Sequence, residues 1–261
     1  MMRDWLRWKL HHVGLEPGVK LPSGDVMRGF RSFSEYRSAQ GMVPPVAEVN
    51  FISSFAGSRG IILDVGANIG SMAMILAHLR PDCIVHAFEP SPESFACLKA
   101  NLLRNHADRV IPCQYAASQA DGRQCFLNDS RSPTSNRLVT TEDGEPGPFV
   151  EVSVVSLDSF LKPYLDDEVA FLKIDVEGHE PSVLAGADML LRSGRCRAGL
   201  VELCPENLHN AGYDVSDLLC AAESAGWCLR HLDDEGNPGQ IVDVKNASGV
   251  VLANVALLPR S

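Results

Sequence analysis

Short apolar runs alternate with longer amphipathic stretches along the chain from about residue 60 onwards. Apolar runs of this length, bounded by glycine, proline or polar residues, are typical of strands that are buried on both faces of a parallel sheet. The predicted strands span residues 61–65, 84–88, 110–115, 169–174, 199–203, 227–231 and 250–257.

Apolar residues recur at helical spacing between these strands. The predicted helices span residues 46–57, 71–79, 92–105, 181–192 and 215–225. Alternation of strands and helices predicts an α/β fold with a parallel sheet and helices on both faces. Residues 233–249 are rich in glycine, proline and asparagine, so a loop rather than a helix joins the last two strands. The prediction is a seven-stranded, mostly parallel sheet with the last strand antiparallel.

An N-terminal extension precedes this pattern and is predicted to occupy residues 1–45. Its start carries apolar residues between basic ones, which favours a short amphipathic helical arm. The apolar residues are Trp5, Leu6, Trp8 and Leu10. The arm would pack on the main domain or on a second subunit, which makes a homodimer one interpretation and a membrane-surface helix another. Residues 46–261 are predicted to form the catalytic domain.

A polar insert is predicted at about residues 119–157, where turn residues separate two short strands at 124–128 and 149–154. Long loops within compact domains are usually functional or disordered. The insert is therefore a candidate lid over the sheet, in which Arg131 and Arg137 are either contacts for an anionic ligand or ordinary exposed charges.

The composition is that of a globular protein that can bury a full core. The chain has 261 residues, of which 45% are hydrophobic and 21% are charged, and this excludes global disorder. No apolar run reaches the length of about 18 residues that a membrane-spanning helix needs. The net charge of −10 argues against an overall attraction to nucleic acid, so we expect no nucleic-acid partner.

The eight cysteines form no C-x-x-C pair, so the sequence indicates neither a zinc ribbon nor a thioredoxin-type site. The N-terminus shows no apolar segment of the kind that a secretory signal contains. Together these features favour reduced thiols and a cytoplasmic location.

The first candidate site is the segment Asp64-Val65-Gly66-Ala67-Asn68-Ile69-Gly70, which follows a buried strand and opens a helix. Glycines let the backbone turn sharply and approach a ligand at the helix N-terminus. The spacing is G-x-x-x-G, not the G-x-G-x-x-G of dinucleotide-binding loops. The carboxylate of Asp64 would repel a pyrophosphate and attract a cation. An ordinary tight turn is the alternative interpretation.

Glu89 closes the second predicted strand. An acidic residue at this place in nucleoside-binding α/β folds accepts hydrogen bonds from both ribose hydroxyls. Such charge-assisted bonds are strong and selective. A surface charge near a helix start is the simpler alternative.

The third candidate site, Leu172 to Glu180, contains three carboxyl residues at the end of the fourth predicted strand. They are Asp175, Glu177 and Glu180. Asp175 and Glu202, which ends the neighbouring strand, should point into the same crevice. The carboxylates would serve as a general base, as metal ligands or as helix-start charges.

The stretches D-V-G-A-N-I-G, F-E-P and K-I-D-V-E-G resemble the FkbM-type S-adenosylmethionine-dependent methyltransferases in order and spacing. Asn101 and the segment Ser156-Leu157-Asp158 are similar as well, and the resemblance covers about residues 45–232. It implies a Rossmann-like class I methyltransferase fold and methyl transfer, usually to a hydroxyl of a sugar, polyketide or other secondary metabolite.

The resemblance also implies roles for single residues. Asp64, Gly66, Ala67, Asn68 and Gly70 would line the methionine part of S-adenosylmethionine, together with Asp175. Glu89 would hold the ribose, and Pro90, Ser91, Ala116, Ala117 and Ser118 would surround the adenine. Asp175 and Glu202 would face the acceptor.

The chain departs from the family at two positions. His179 follows Gly178 where relatives more often have a small or aromatic residue, and Cys204 stands where a histidine is common. His179 is therefore a candidate for the catalytic role of the missing histidine, with a helix-capping or surface residue as the alternative.

The predicted activity is O-methylation of a small hydroxylated metabolite. Asp175 or Glu202 would remove the hydroxyl proton directly, or paired carboxylates would hold Mg²⁺ to acidify the acceptor. N- or carboxyl methylation, a nicotinamide-dependent oxidoreductase and a non-catalytic adenosyl-binding protein are the alternatives.

Overall fold

The structure is a computed structural model that describes residues 18–28, 40–128, 136–139, 147–247 and 249–260. The predicted helical arm around Trp5 and the central part of the predicted lid lie outside these ranges. The strands are β1 (Val19–Lys20), β2 (Val26–Met27), β3 (Gly60–Val65), β4 (Cys83–Phe88), β5 (Val110–Cys113), β6 (Ala116–Ala117), β7 (Gly122–Leu127), β8 (Arg137–Val139), β9 (Phe149–Val155), β10 (Val169–Ile174), β11 (Gly199–Leu203), β12 (Trp227–Leu232), β13 (Pro238–Ile241) and β14 (Ala253–Pro259).

The helices alternate with these strands. They are α1 (Val46–Phe55), α2 (Ser71–Leu79), α3 (Pro92–Arg104), α4 (Leu157–Phe160), α5 (Glu180–Ala185), α6 (Asp188–Arg192), α7 (Pro205–Asn210), α8 (Val215–Ser224) and α9 (Val244–Ala247), with a 3₁₀ turn at Lys162–Tyr164.

The main sheet has the strand order β13-β12-β14-β11-β10-β3-β4-β5. Strands β5, β4, β3, β10 and β11 are parallel, and β14 runs antiparallel to both β11 and β12. The mostly parallel sheet with a reversed last strand is therefore confirmed.

The strand count differs from the prediction, because β13 adds an eighth strand within the segment that the sequence indicates as a loop. A tight turn at Gly236, with a φ of 89°, folds β13 back on β12. Asp233 closes the turn by accepting the backbone N–H groups of Glu235 and Asn237. Turn residues look alike in a loop and in a hairpin, and β13 is mostly exposed, so no apolar pattern marks it.

Helices cover both faces of the sheet, as predicted. Phe51 of α1, Met74 of α2 and Leu98 of α3 pack with Ile62 on one face. Val183 of α5, Leu190 of α6 and Leu218 of α8 pack with strand residues on the other face. The alternation of side chains along each strand supplies apolar groups to both layers.

The helix predicted at 181–192 is instead two helices that are separated at Gly186. A Cβ atom at Gly186 would lie 2.0 Å from the carbonyl oxygen of Ser118, so the chain passes very close to another segment at this point. Asp158 accepts the backbone N–H groups of Met189 and Leu190, which caps the start of α6. The side chain of Asp158, which belongs to the segment Ser156-Leu157-Asp158, therefore stabilises the start of this helix.

The insert folds as a second sheet with the order β6-β9-β7-β8. Its central pair, β7 and β9, is antiparallel and corresponds to the two predicted short strands. Phe126, Leu138 and Val152 form a small separate core within it.

Part of the predicted N-terminal extension lies within the described residues. The β1–β2 hairpin packs with buried Val19 and Met27 against the main core. Asn101 Oδ1 accepts the backbone N–H of Arg28, and Asn105 exchanges two hydrogen bonds with the backbone of Val26. This hairpin is therefore attached to helix α3 of the main domain.

Two further observations concern the whole described chain. No helix in it is long and apolar enough to cross a membrane. All eight cysteines are free.

Candidate active site

A cavity of about 620 Å³ lies at the carboxyl ends of β3, β4, β10 and β11. This is the edge of an open α/β sheet at which ligands bind. The predicted site residues that line it are Asp64, Gly66, Ala67, Asn68, Glu89, Pro90, Ala116, Ala117, Asp175, His179 and Glu202. Gly70, Ser91 and Ser118 do not line it.

The loop between β3 and α2 is held rigidly against its neighbours. Gly66 has a φ of 86°, and a Cβ atom there would lie 1.7 Å from the carbonyl oxygen of Asp175. The backbone N–H groups of Gly66 and Ala67 both donate to the carbonyl of Phe88. Only glycine fits where this loop passes between β4 and β10.

Two buried acceptor atoms of this loop have no partner among the described residues. They are Oδ2 of Asp64 and Oδ1 of Asn68. Burial raises the pKa of Asp64 to about 7, against the opposing effect of Lys173. Buried polar groups are rarely left unpaired, so these two atoms indicate the place of a ligand that donates hydrogen bonds or carries positive charge.

Glu89 is fixed by the backbone of two loops. Its Oε2 accepts the N–H of Asn68 at 2.9 Å, and its Oε1 accepts the N–H of Ser91 at 2.8 Å. Burial raises its pKa to about 7, although these hydrogen bonds act in the opposite direction. The carboxyl group is thus oriented toward the cavity with lone pairs left for a diol.

The three predicted residues that do not line the cavity have structural roles next to it. Gly70 begins helix α2 with a φ of 96°, and a Cβ atom there would lie 2.7 Å from Cδ1 of Leu98. Ser91 caps helix α3 and donates to Oδ1 of Asn128 at 2.8 Å. The backbone N–H of Ser118 donates to the carbonyl of Val155 and so extends the pairing of β6 with β9 in the second sheet.

An ion pair between a buried lysine and a partly exposed aspartate lies at the acidic end of the cavity. The Lys173 ammonium donates to Oδ2 of Asp175 at 3.0 Å, and the lysine side chain is only 4% exposed. Burial alone would lower the pKa of Lys173, but the surrounding carboxylates, Asp175 foremost, raise it above its ordinary value. Sequence reasoning missed this lysine as a site residue. A lysine within an otherwise apolar strand was the signal that could have found it.

Two further carboxyl groups share one amide donor. Nδ2 of Asn207 donates to Oε2 of Glu177 at 2.8 Å and to Oε2 of Glu202 at 3.3 Å. Burial and the nearby charge of Asp175 raise the pKa of Glu177 to about 8 and that of Glu202 to about 9. Both groups therefore hold a proton more readily than an ordinary carboxyl group does.

Glu180 proves to be an anchor of the loop and not a cavity residue. Its Oε1 accepts the backbone N–H groups of Val176 at 3.0 Å and Gly178 at 3.2 Å. The alternative interpretation as a helix-start charge is therefore the better one for this residue.

His179 faces the second sheet. Its Nε2–H donates to the carbonyl of Leu138 in β8 at 2.8 Å, and its ring packs edge to face with Tyr213. The histidine connects the carboxylate loop to the insert across the cavity, which neither the catalytic nor the capping interpretation of the sequence expects.

Glu48 and Asn254 also line the cavity and were not predicted. Nδ2 of Asn254 donates to Oε1 of Glu48 at 2.7 Å, and burial raises the pKa of Glu48. They lie far apart in the sequence, in α1 and β14, so no local pattern brings them together.

Within the described ranges, no group of three or more His, Cys, Asp or Glu residues is arranged to hold a metal ion. The Mg²⁺ alternative thus finds no support in these residues. The positive charge among the carboxylates is supplied by Lys173.

The strand order, the glycine loop of Asp64 to Gly70 and the acidic residue at the end of β4 together define a class I methyltransferase fold. The model of the methyltransferase FkbM domain family matches residues 64–223. The chain therefore belongs to this family of methyltransferases, as its motifs predict.

Three curated relatives illustrate the range of the family. The chain is 36% identical over 155 residues to the 31-O-demethyl-FK506 methyltransferase FkbM of Streptomyces tacrolimicus, covering 49% of this chain and 59% of that protein. It is 28% identical to the hexuronic acid methyltransferase AglP of Haloferax volcanii, covering 74% and 77%. It is 25% identical to the 2-O-methyltransferase NoeI of Sinorhizobium fredii, covering 60% and 71%.

Proposed function

We propose that the protein is an S-adenosylmethionine-dependent O-methyltransferase that acts on a hydroxyl of a small metabolite. The observation that carries the proposal is a single cavity with two different ends. One end holds the unpartnered acceptors of Asp64 and Asn68 beside Glu89, and the other holds the carboxyl groups around Lys173.

The first end fits S-adenosylmethionine. Glu89 would accept the ribose hydroxyls, the loop at Gly66 would lie against the methionine part, and Asp64 would face its positive charge. The adenine would lie near Pro90, Ala116 and Ala117. When bound, this cofactor supplies a methyl group on a positively charged sulfur, which a nucleophile displaces in line.

The second end would orient the acceptor and take its proton. Asp175 is the carboxylate that pairs with a fixed cation, so its position is well defined, and we assign it the role of general base. Glu202 and Glu177, which share the amide of Asn207, would orient the acceptor through hydrogen bonds. Transfer to oxygen is the chemistry in the names of two relatives, the FK506 31-O and the 2-O enzymes.

We further propose that residues 46–261 form the catalytic domain and that the insert at 119–157 acts as its lid. His179 supports this role of the insert, because it binds β8 to the loop that carries Asp175. A lid excludes water from the reacting groups. A cytoplasmic location and dimerisation through residues 1–45 stay predictions from the sequence.

The deciding experiment is calorimetric titration of the protein with S-adenosylmethionine, S-adenosylhomocysteine and NAD. We expect both adenosyl compounds to bind. Glu89→Ala should weaken them about tenfold or more, because each lost hydrogen bond to a charged group costs roughly 1.5–3 kcal/mol. Glu168→Gln is a matched control, since this exposed carboxylate pairs with Arg197 at the amino end of β10.

Each other outcome has a clear meaning. Binding of NAD alone would contradict the methyltransferase proposal. Equal binding by the wild type and Glu89→Ala would contradict the ribose assignment, and Glu89→Gln, which keeps the side-chain volume, shows whether a loss comes from misfolding.

A further inference from the structure

The acceptor end of the cavity is unusually rich in carboxyl groups. Seven acidic residues line the cavity as a whole, together with Lys173, Arg137 and His179. Asp64 and Glu89 belong to the proposed cofactor end. Those that remain at the acceptor end are Glu48, Asp175, Glu177, Glu202 and Glu206.

Two of these carboxyl groups are incompletely paired. Glu48 is 7% exposed and accepts one hydrogen bond on Oε1, from Asn254, and Glu202 is 7% exposed and accepts one on Oε2, from Asn207. The second oxygen of each has no hydrogen-bond partner among the described residues. Oδ1 of Asn254, buried beside them, has no such partner either.

These atoms call for a ligand that donates several hydrogen bonds. A protonated amine offers three donors and a positive charge, whereas a carboxylate or phosphate offers neither. Lys173 donates to Asp175 and to the backbone carbonyl of Ile174, and it forms no hydrogen bond with Glu48 or Glu202. Burial, and after it the charge of Asp175, raises the pKa of both glutamates, and a cation beside them would favour their charged forms.

We propose that the acceptor is a hydroxylated small molecule that carries a protonated amine, and that Glu48, Glu202 and Asn254 receive its ammonium group. This inference rests on the proposed function, since it concerns the acceptor of that reaction. Glu48 and Asn254 lie outside the segment 64–223 that matches the family model, so this recognition belongs to parts of the chain beyond the shared domain.

The test compares three probes that differ in one group: glucosamine, glucose and glucuronate. Their binding to the full chain, saturated with S-adenosylhomocysteine, is measured by saturation-transfer NMR at neutral pH. We expect glucosamine to bind about tenfold or more tightly than glucose, as for a hydrogen bond to a charged group, and glucuronate to bind most weakly.

Glu48→Gln should remove this preference, because the amide keeps the bond to Asn254 and loses the charge. Glu202→Gln provides a second variant, and Glu168→Gln is the control with the same change of net charge. Equal binding of glucose would indicate a neutral polyol acceptor and overturn the inference, as would tighter binding of glucuronate or a preference that survives in Glu48→Gln.

Binding of none of the probes would also overturn it, since a cavity of about 620 Å³ admits a monosaccharide. Failure of the wild type to bind S-adenosylhomocysteine would instead contradict the proposed function. The two failures are therefore distinguishable.

Discussion

At the scale of single residues, Asp175 occupies the most informative position. Its backbone N–H donates to Val65 in β3 and its side chain pairs with Lys173, so both ends of the residue are fixed. A group held in this way loses little entropy when it accepts a proton from a bound hydroxyl.

Replacing Asp175 by asparagine keeps the shape of the side chain and removes the base. We expect turnover to fall roughly 10²–10⁴-fold, the usual contribution of a general base. Affinity for S-adenosylhomocysteine should change little. Steady-state rates with any acceptor that the wild type methylates, together with calorimetry, check this; undiminished turnover would show that another group takes the proton.

Gly66 provides a second prediction at this scale, with a matched control. Gly66→Ala places a Cβ against the carbonyl of Asp175. Gly212 has a similar φ of 83°, but a Cβ added there would have open space around it. Gly212→Ala should cost about 1–2 kcal/mol of unfolding free energy, from backbone strain alone.

Gly66→Ala should lower the free energy of unfolding by more than this, roughly 3 kcal/mol or above. It should also abolish binding of S-adenosylhomocysteine. Denaturant unfolding of both variants gives the comparison. Equal losses would mean that the loop has room to move away from Asp175.

At the scale of elements, the contact between His179 and β8 joins the second sheet to the loop that carries Asp175. His179→Phe would keep the ring contact with Tyr213 and remove the hydrogen bond to Leu138. We expect hydrogen exchange of the β8 amides to become about fivefold to tenfold faster, since one hydrogen bond contributes about 1 kcal/mol.

Tyr213→Phe is the control for this prediction. It removes the hydrogen bond between Tyr213 and Ser182 and leaves the ring in place. Exchange in β8 should then stay as in the wild type. Faster exchange in both variants would assign the effect to general loosening of the loop.

At the scale of the whole molecule, the fold buries several carboxyl groups whose pKa values are raised. They are Asp64, Glu89, Glu177, Glu180 and Glu202, with values from about 7 to about 9. The unfolded chain loses these protons near its ordinary pKa values of about 4, so between that pH and about 9 it binds fewer protons than the folded chain.

The free energy of unfolding should therefore decrease as the pH rises from about 5 to 9. One group contributes a slope of up to about 1.4 kcal/mol per pH unit within its window. Glu202→Gln should flatten the upper part of the curve, up to about pH 9, and Glu168→Gln should not. Urea unfolding at several pH values measures this free energy. A free energy of unfolding that rises with pH would contradict the raised pKa values of these carboxyl groups.

Much of the site could be predicted because many of its residues belong to short sequence motifs. The glycine loop, Glu89 and Asp175 each stand at the end of an apolar strand, and the carboxyl ends of parallel strands meet at one edge of a sheet. Glu48, Asn254 and Asn207 could not be found in this way, because they reach the cavity from elements that the sequence does not mark as part of it.

By itself, the sequence determined the alternation of strands and helices, the reversed last strand, the family and the glycine loop of Asp64 to Gly70. These follow from short-range periodicity and from motifs of neighbouring residues. Only the tertiary structure decided that Lys173 lies among the carboxylates, that His179 binds the second sheet, and that Glu180 anchors a loop. Pairing and burial of charges depend on contacts between distant segments, and those contacts set the pKa values on which the chemistry of the site depends.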